Sequence, residues 1–355
     1  MANRYILDYD NPDAGIGHSM GIINRALKIA NRNQLEFAYS ESQLSKSHDK
    51  SFKWNLKQYL RRMRGKRPDE THNIGNNLNE LLNPSALLPS REEIEKSIQH
   101  GNIRVIDIPI FEIHIPSNYQ DDGEIYKAID QFIQSHPEPN IAFRIRNNRF
   151  GDYEYAATRE WFLDAYNKAR DVYPIALTFD PSKLNVAVHI RRGDLLPGRQ
   201  FSDLSSRMLP DSWYLNIIDV VQRSMNKPIA IHIFSEGKNG QYYSENGAPF
   251  SWKEHFRNFP LEVHENIDSD FKSTFHHLLN ADILIGSKSG MSHLAGMLGK
   301  HAKIMPTMWH SYRGATNLIE VSDLQTTLNL DAIQYHLQQC IKSPSWESVA
   351  QSAAI

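Results

Sequence analysis

The chain has 355 residues, 40% of them hydrophobic, which is enough for two cores of ordinary domain size rather than one. Lys and Arg total 39 against 41 Asp and Glu, a formal charge of −2, and this argues against a dedicated nucleic-acid binder, which usually carries a clear basic excess. Cys340 is the only cysteine, so an intramolecular disulfide and a cysteine-based metal site are both excluded.

The opening Met1–Asp8 is too short and too polar for a signal peptide, and no run approaches ~18 apolar residues. The expectation is a cytoplasmic protein with no transmembrane segment. The one Asn-x-Ser/Thr match, Asn83-Pro84-Ser85, is disqualified as a glycosylation acceptor by its proline.

In chain order, a strand is expected over 4–8, followed by Gly15-Ile-Gly17-His18-Ser19-Met20-Gly21 and a helix over 20–32. Glycines between a strand and a helix invite a dinucleotide-binding reading, with Glu41 beyond a second strand at 35–39 as the ribose ligand. Gly21 stands four residues after Gly17 where that fingerprint wants three, and tight packing without a ligand is the alternative. Residues 41–100 are polar, with Arg61, Arg62, Arg64, Lys66 and Arg67 close together, and read as a solvated insertion. Strands over 103–108 and 141–145 and a helix over 155–170 complete the first half. A boundary is expected near Phe179–Ser182, giving domains of 1–180 and 181–330.

The second half opens on Asn185-Val-Ala-Val-His189-Ile-Arg191-Arg192-Gly-Asp194, an apolar strand running into two arginines. Residues two apart on a strand share a face, so His189 and Arg191 project together and Arg192 points away unless the strand has ended. The guanidinium fork suits bidentate contact with phosphate oxygens, and Asp194 could orient it. The alternative is an internal Arg–Asp pair. A helix over 211–225 follows, with Pro210-Asp211-Ser212 offering its cap, and then a strand over 229–234 ending in Ser235-Glu236-Gly237. Glu236 is a candidate acceptor for ribose or base hydroxyls, or simply a turn residue.

After a helix over 271–280 comes Ala281–His293, a strand ending at Gly286 and a helix starting near Met291. Ser287, Ser289, Gly290 and Ser292 there leave room for a phosphate at a helix N-terminus, although serine-rich turns also serve purely as caps. A strand over 302–305 and a helical tail beyond Asp331 close the chain, and the tail is expected to pack back on the first half. The sixteen histidines show no metal-ligand spacing, His276 and His277 being adjacent, so no metal is expected. Alternating strands and helices imply an α/β chain with mostly parallel sheets.

His189-Ile-Arg191-Arg192-Gly-Asp194 resembles the His-x-Arg-Arg-x-Asp motif of the fucosyltransferase-type glycosyltransferases. The family's N-terminal glycine turn resembles Gly15-Ile-Gly-His-Ser19, and its late strand–turn–helix resembles Asp282–Ser289. The resemblance implies a GT-B-like fold of two Rossmann-like domains facing a central cleft, with the donor held mainly by the second. It implies metal-independent, inverting transfer of a sugar from a nucleotide diphosphate, GDP-fucose favoured, onto a glycan acceptor, with no further cofactor. Carried over, Arg191 contacts the β-phosphate, His189 lies at the base or ribose, and Ser289 with Gly290 cradles phosphate. Thr274 stands where core fucosyltransferases place a base-reading aspartate, and His18 where O-fucosyltransferases carry asparagine, so the nucleotide base stays open.

Charge gathers on the departing diphosphate, which Arg191 and the 286–292 turn would stabilise. Asp13 and His18 are the candidates for general base, with Asp152 and Glu154 behind them. Three other readings remain: the same fold with a UDP-sugar, a nicotinamide-dependent oxidoreductase at Gly15–Gly21, and a non-catalytic nucleotide-sugar binder.

Overall fold

A computed structural model describes residues 3–8, 16–40, 74–111, 123–146, 152–197, 202–322 and 329–341. The chain forms two compact units, Met1–Pro174 with Trp309–Arg313, and Ile175–Met308 with Gly314–Ile355.

The first unit contains β1 (Arg4–Leu7), α1 (Ile16–Asn33), β2 (Glu36–Phe37), α2 (Ile74–Leu82), α3 (Pro84–Leu87), α4 (Arg91–Gln99), β3 (Arg104–Ile108), α5 (Gly123–Gln134), β4 (Ile141–Ile145) and α6 (Arg159–Val172). Its strands lie in the order β2-β1-β4-β3, and every pair is parallel. Tyr5 and Leu7 of β1 and Ala142 of β4 pack with Ile94 of α4 on one face. Ser90 accepts from the Glu93 amide and so starts α4, with Glu92 and Glu93 complementing the helix dipole in its first turn.

Helix α1 begins four residues before the sequence pattern places it, so Gly17 and Gly21 are helical. A Cβ on Gly21 would stand 2.8 Å from the Tyr153 ring, so the glycine permits a close approach between α1 and the segment before α6. Gly21→Ala is expected to cost ~1–3 kcal/mol by overpacking, read as a fall in thermal midpoint. Unchanged stability would mean that the ring moves aside freely. The arginines of the 61–67 run lie outside the described residues, and the described part of that insertion forms α2, α3 and α4.

The second unit contains β5 (Leu184–Ile190), α7 (Asp211–Ser224), β6 (Ile229–Ser235), α8 (Trp252–His255), β7 (Leu261–Ile267), α9 (Phe271–Asn280), β8 (Ile283–Ile285), α10 (Gly290–Leu298), β9 (Ala302–Pro306), β10 (Leu318–Val321) and α11 (Leu330–Ile341). Its sheet runs β10-β9-β8-β5-β6-β7, again wholly parallel. Strand alternation gives this sheet two unlike faces. One carries Val186, Val188, Ile190, Ile229, Ile231, Ile233, Ile283, Ile285 and Ile304, buried against Trp213, Ile217 and Val221 of α7. Each such side chain contributes ~1.5–3 kcal/mol on burial. The other face carries Asn185, His189, His232 and Lys303, all buried.

The expected packing of the tail on the first half is corrected. Ile333, Leu337 and Cys340 of α11 belong to the second unit's apolar core, where the helix lies against α7. The tail has an apolar stripe at i, i+4 and i+7 that the α7 side of the sheet buries. Among the described residues no helix is long and apolar enough to cross a membrane.

Candidate functional site

The second sheet reverses its order beside β5. The chain goes from β5 outward to β6 and β7, then returns to β8 on the opposite flank and continues to β9 and β10. In open α/β sheets the crevice at the carboxyl ends of such strands is where ligands bind. Here it is formed by Arg191–Gly193 after β5 and Gly286–Gly290 after β8.

The end of β5 is braced from both sides. From β6, the Ser235 hydroxyl donates to the Ile190 carbonyl at 2.7 Å. From the β8 side, His189 Nδ1 lies 2.5 Å from Ser292 Oγ and 2.8 Å from Ser287 Oγ. Within the turn, the Ser287 amide donates to Ser292 Oγ at 3.1 Å and the Ser289 amide to the Ser287 carbonyl at 2.7 Å. Gly286 admits the Met305 side chain in close contact, and its amide donates to the Ile304 carbonyl at 3.0 Å. Ser289 is extended, accepts from the Met291 amide, and starts α10 at Gly290. Burial, reinforced by the Arg191 charge, pushes His189 down to about 3, so its imidazole is neutral at physiological pH.

The two arginines part company. Arg192 is fully buried, Nη2 paired with the Asp211 carboxylate and Nη1 donating to the Arg191 carbonyl at 3.0 Å. Its guanidinium also lies over the Tyr242 ring, and Glu245 Oε2 is 3.7 Å from Nη2. Tyr242 donates its hydroxyl to Asp211. Burial raises the Asp211 carboxyl, against the pull of Arg192. A phosphate-binding role for Arg192 alongside Arg191 is therefore corrected: its guanidinium is spent in an internal ion pair with Asp211. Asp211 is correspondingly not a cap, since Pro210 holds that position without a side-chain bond. Arg191 stays half-buried at the crevice.

Gly193 has φ of +48°, and its Cα faces the Glu236 carboxylate so closely that no side chain fits there. Glu236 thus stands over the turn that follows Arg191. Asp268 fixes the loop behind Glu236, accepting from the Gly237 amide at 2.8 Å and the Gly240 amide at 2.9 Å. The structure therefore brings together His189, Arg191, Glu236, Ser287, Ser289, Gly290 and Ser292. The hydroxyls of Ser235, Ser287 and Ser292 are engaged within the protein. The side chain of Asp194 lies outside the described residues, although its backbone is in the short 3-10 turn Gly193–Leu195.

In the first unit Asp13 and Gly15 lie outside the described residues, as does the side chain of His18, while Gly17 is in α1. Asp152 and Glu154 are both committed. Lys28 Nζ is 2.8 Å from Asp152 and 2.9 Å from Glu154, Tyr126 donates to Asp152, and Asn24 Nδ2 bonds the Asp152 carbonyl at 3.0 Å. Their candidacy as general base is corrected, because buried Asp152 ties α1 to α5 and to the segment preceding α6. Sequence reasoning read Asp211 only as a cap and missed its pairing with Arg192, together with Tyr242 and Glu245; the signal available was an acidic residue opening α7. Among the described residues no group of three or more His, Cys, Asp or Glu could hold a metal ion.

No protein-family model matches the chain, and no curated protein matches it. Among solved structures it is similar to the heptosyltransferase WaaC of E. coli with ADP, at 13% identity over 99% of this chain and 100% of that one, with a TM-score of 0.37. The same enzyme with ADP-2-deoxy-2-fluoro heptose gives 12% identity over 95% and 99%, at a TM-score of 0.39. The spinosyn forosaminyltransferase SpnP gives 11% identity over 99% and 93%, at 0.30.

Proposed function

We propose that the protein is a GT-B-type glycosyltransferase whose second unit holds a nucleotide diphosphate sugar at the β5/β8 crevice and whose product is a glycosylated glycan. GDP-fucose is the favoured donor, and the transfer is inverting and metal-independent. One observation carries the reading: a half-buried arginine leaves β5 beside a braced βα turn that opens α10, at the point where the sheet reverses its order. A fixed cation and a helix N-terminus at one place suit a diphosphate.

In the reaction, the acceptor hydroxyl attacks the anomeric carbon, the bond from that carbon to the β-phosphate oxygen breaks, and its electron pair stays with the nucleoside diphosphate. Arg191 and the α10 terminus stabilise that charge as it develops, a role that demands groups fixed in advance. The hydroxyl proton passes to a general base, for which the sequence offers Asp13 and His18 as candidates. Glu236 is the acceptor for ribose hydroxyls, and Ser289 with Gly290 approaches the phosphates.

Thr274 is buried in α9, so a carboxylate is absent from the position that reads guanine in the resembled family, and the base is decided by experiment. A thermal-shift and hydrolysis panel of GDP-, UDP- and CMP-sugars is expected to show stabilisation of ~2.7 kcal/mol at a hundredfold excess over Kd for the true donor. A response to GDP-sugars alone supports fucose transfer, a response to UDP-sugars alone moves the donor, and no response from any member sinks the reading.

A further inference from the structure

We infer that His189 is a positioning residue for the phosphate-facing turn, acting through Ser287 and Ser292, and not a contact to the donor's base or ribose. The inference rests on the proposed donor site and sharpens it. Its ground is the direction in which the imidazole is spent. Nδ1 meets both serine hydroxyls across the β5/β8 boundary, and the ring is buried between the sheet and α10.

Ser292 Oγ accepts the Ser287 amide and keeps its own proton and a second lone pair, so it can serve either ring tautomer; the inferred arrangement has its O–H donate to His189 Nδ1, with the ring proton on Nε2. Ser287 Oγ, 3.2 Å from Ser292 Oγ, closes a triangle of polar groups over the start of the turn. This triangle joins a β5 residue to two residues about a hundred positions later, so the turn is held in register with Arg191, two residues along from His189. A cationic imidazole could not accept here, and its depressed pKa keeps it neutral. A turn ordered before the ligand arrives loses less entropy on binding.

Two ligands separate positioning from contact. Inorganic pyrophosphate has phosphates but neither base nor ribose, and GDP, or UDP where the sugar panel selects it, has all three. By calorimetry His189→Leu is expected to weaken both ligands by the same factor, roughly 10-fold, as loss of a buried acceptor implies. His189→Asn, which returns an acceptor oxygen near the Nδ1 position, is expected to stay within about 3-fold of the parent. Ser287→Ala, a smaller change, should weaken both ligands in the same sense and serves if His189→Leu does not fold. Nitrogen NMR of the parent protein should find His189 Nδ1 unprotonated.

The inference is overturned if His189→Leu, or Ser287→Ala in its place, weakens the nucleotide and leaves pyrophosphate unchanged, which is the signature of a base or ribose contact. It is overturned equally if the variants bind both ligands as tightly as the parent. A parent protein that binds neither ligand removes the donor site itself, an outcome distinct from a parent that binds both with the variants unaffected.

Discussion

Arg191→Ala is expected to lower donor turnover ~10²–10³-fold while leaving the thermal midpoint near the parent value, whereas Arg192→Ala should do the reverse. The contrast follows from burial. Arg191 is half-buried at the crevice, where a charge aimed at a departing diphosphate is worth ~2.7–4 kcal/mol in the transition state. Arg192 has no surface exposure, and removing it would strand the Asp211 carboxylate among Tyr242 and Glu245. Breaking a buried pair from one side costs ~3–5 kcal/mol, a midpoint drop on the order of 10 °C for a unit of this size. The two measurements are a melt and an assay of transfer or donor hydrolysis. Full activity in Arg191→Ala would remove that residue from the chemistry, and an unchanged melt in Arg192→Ala would show that the Asp211 network relaxes without it.

The second large effect is acid lability of the second unit. Burial pushes His189 down to about 3, and His232 down to about 4 with help from His264 and His277. His301, His277 and His336 are also lowered by burial. For each group the folded pKa lies below the unfolded value of about 6.5, so the unfolded chain binds more protons in the interval between them. Stability is therefore full above about pH 6.5 and is lost as pH falls toward the folded values. By pH 5, His189 and His232 each cost ~2 kcal/mol, about 4 together, a large share of a domain's usual margin. Urea unfolding at pH 7, 6 and 5 is the check. Equal midpoints at pH 7 and 5 would show that water reaches these rings in the native state.

Much of the architecture is legible in the sequence because the second sheet's central strands are apolar runs broken only by one histidine each, as in Val186–Ile190 and Ile229–Phe234. Strands β7 and β10 are not, and both lie at sheet edges. In Leu261–Ile267, Glu262 and Glu265 are exposed and His264 is half-buried, so the run shows too little apolar content to register. Strand alternation does separate His189 from Arg192, and the structure places the first against the serines and the second against Asp211. What the sequence could not supply is the partner. Ser292 stands 103 positions from His189, and no local spacing encodes a contact made only by closing the sheet. The same limit applies to Asp152, a plausible base until Lys28 and Tyr126 arrive from two helices.

The excursion of Trp309–Arg313 into the first unit has a consequence for synthesis. His310 stacks on Tyr153 at 3.9 Å, so part of that unit's packing is supplied by residues made long after Pro174. Domains on a growing chain generally fold from the N-terminus onward, at ~5–20 residues per second. Here the earlier unit must wait on the order of ten seconds for its last five residues while most of the later unit emerges. The two halves are thus finished together, and a gene cut at the obvious boundary yields an incomplete first piece.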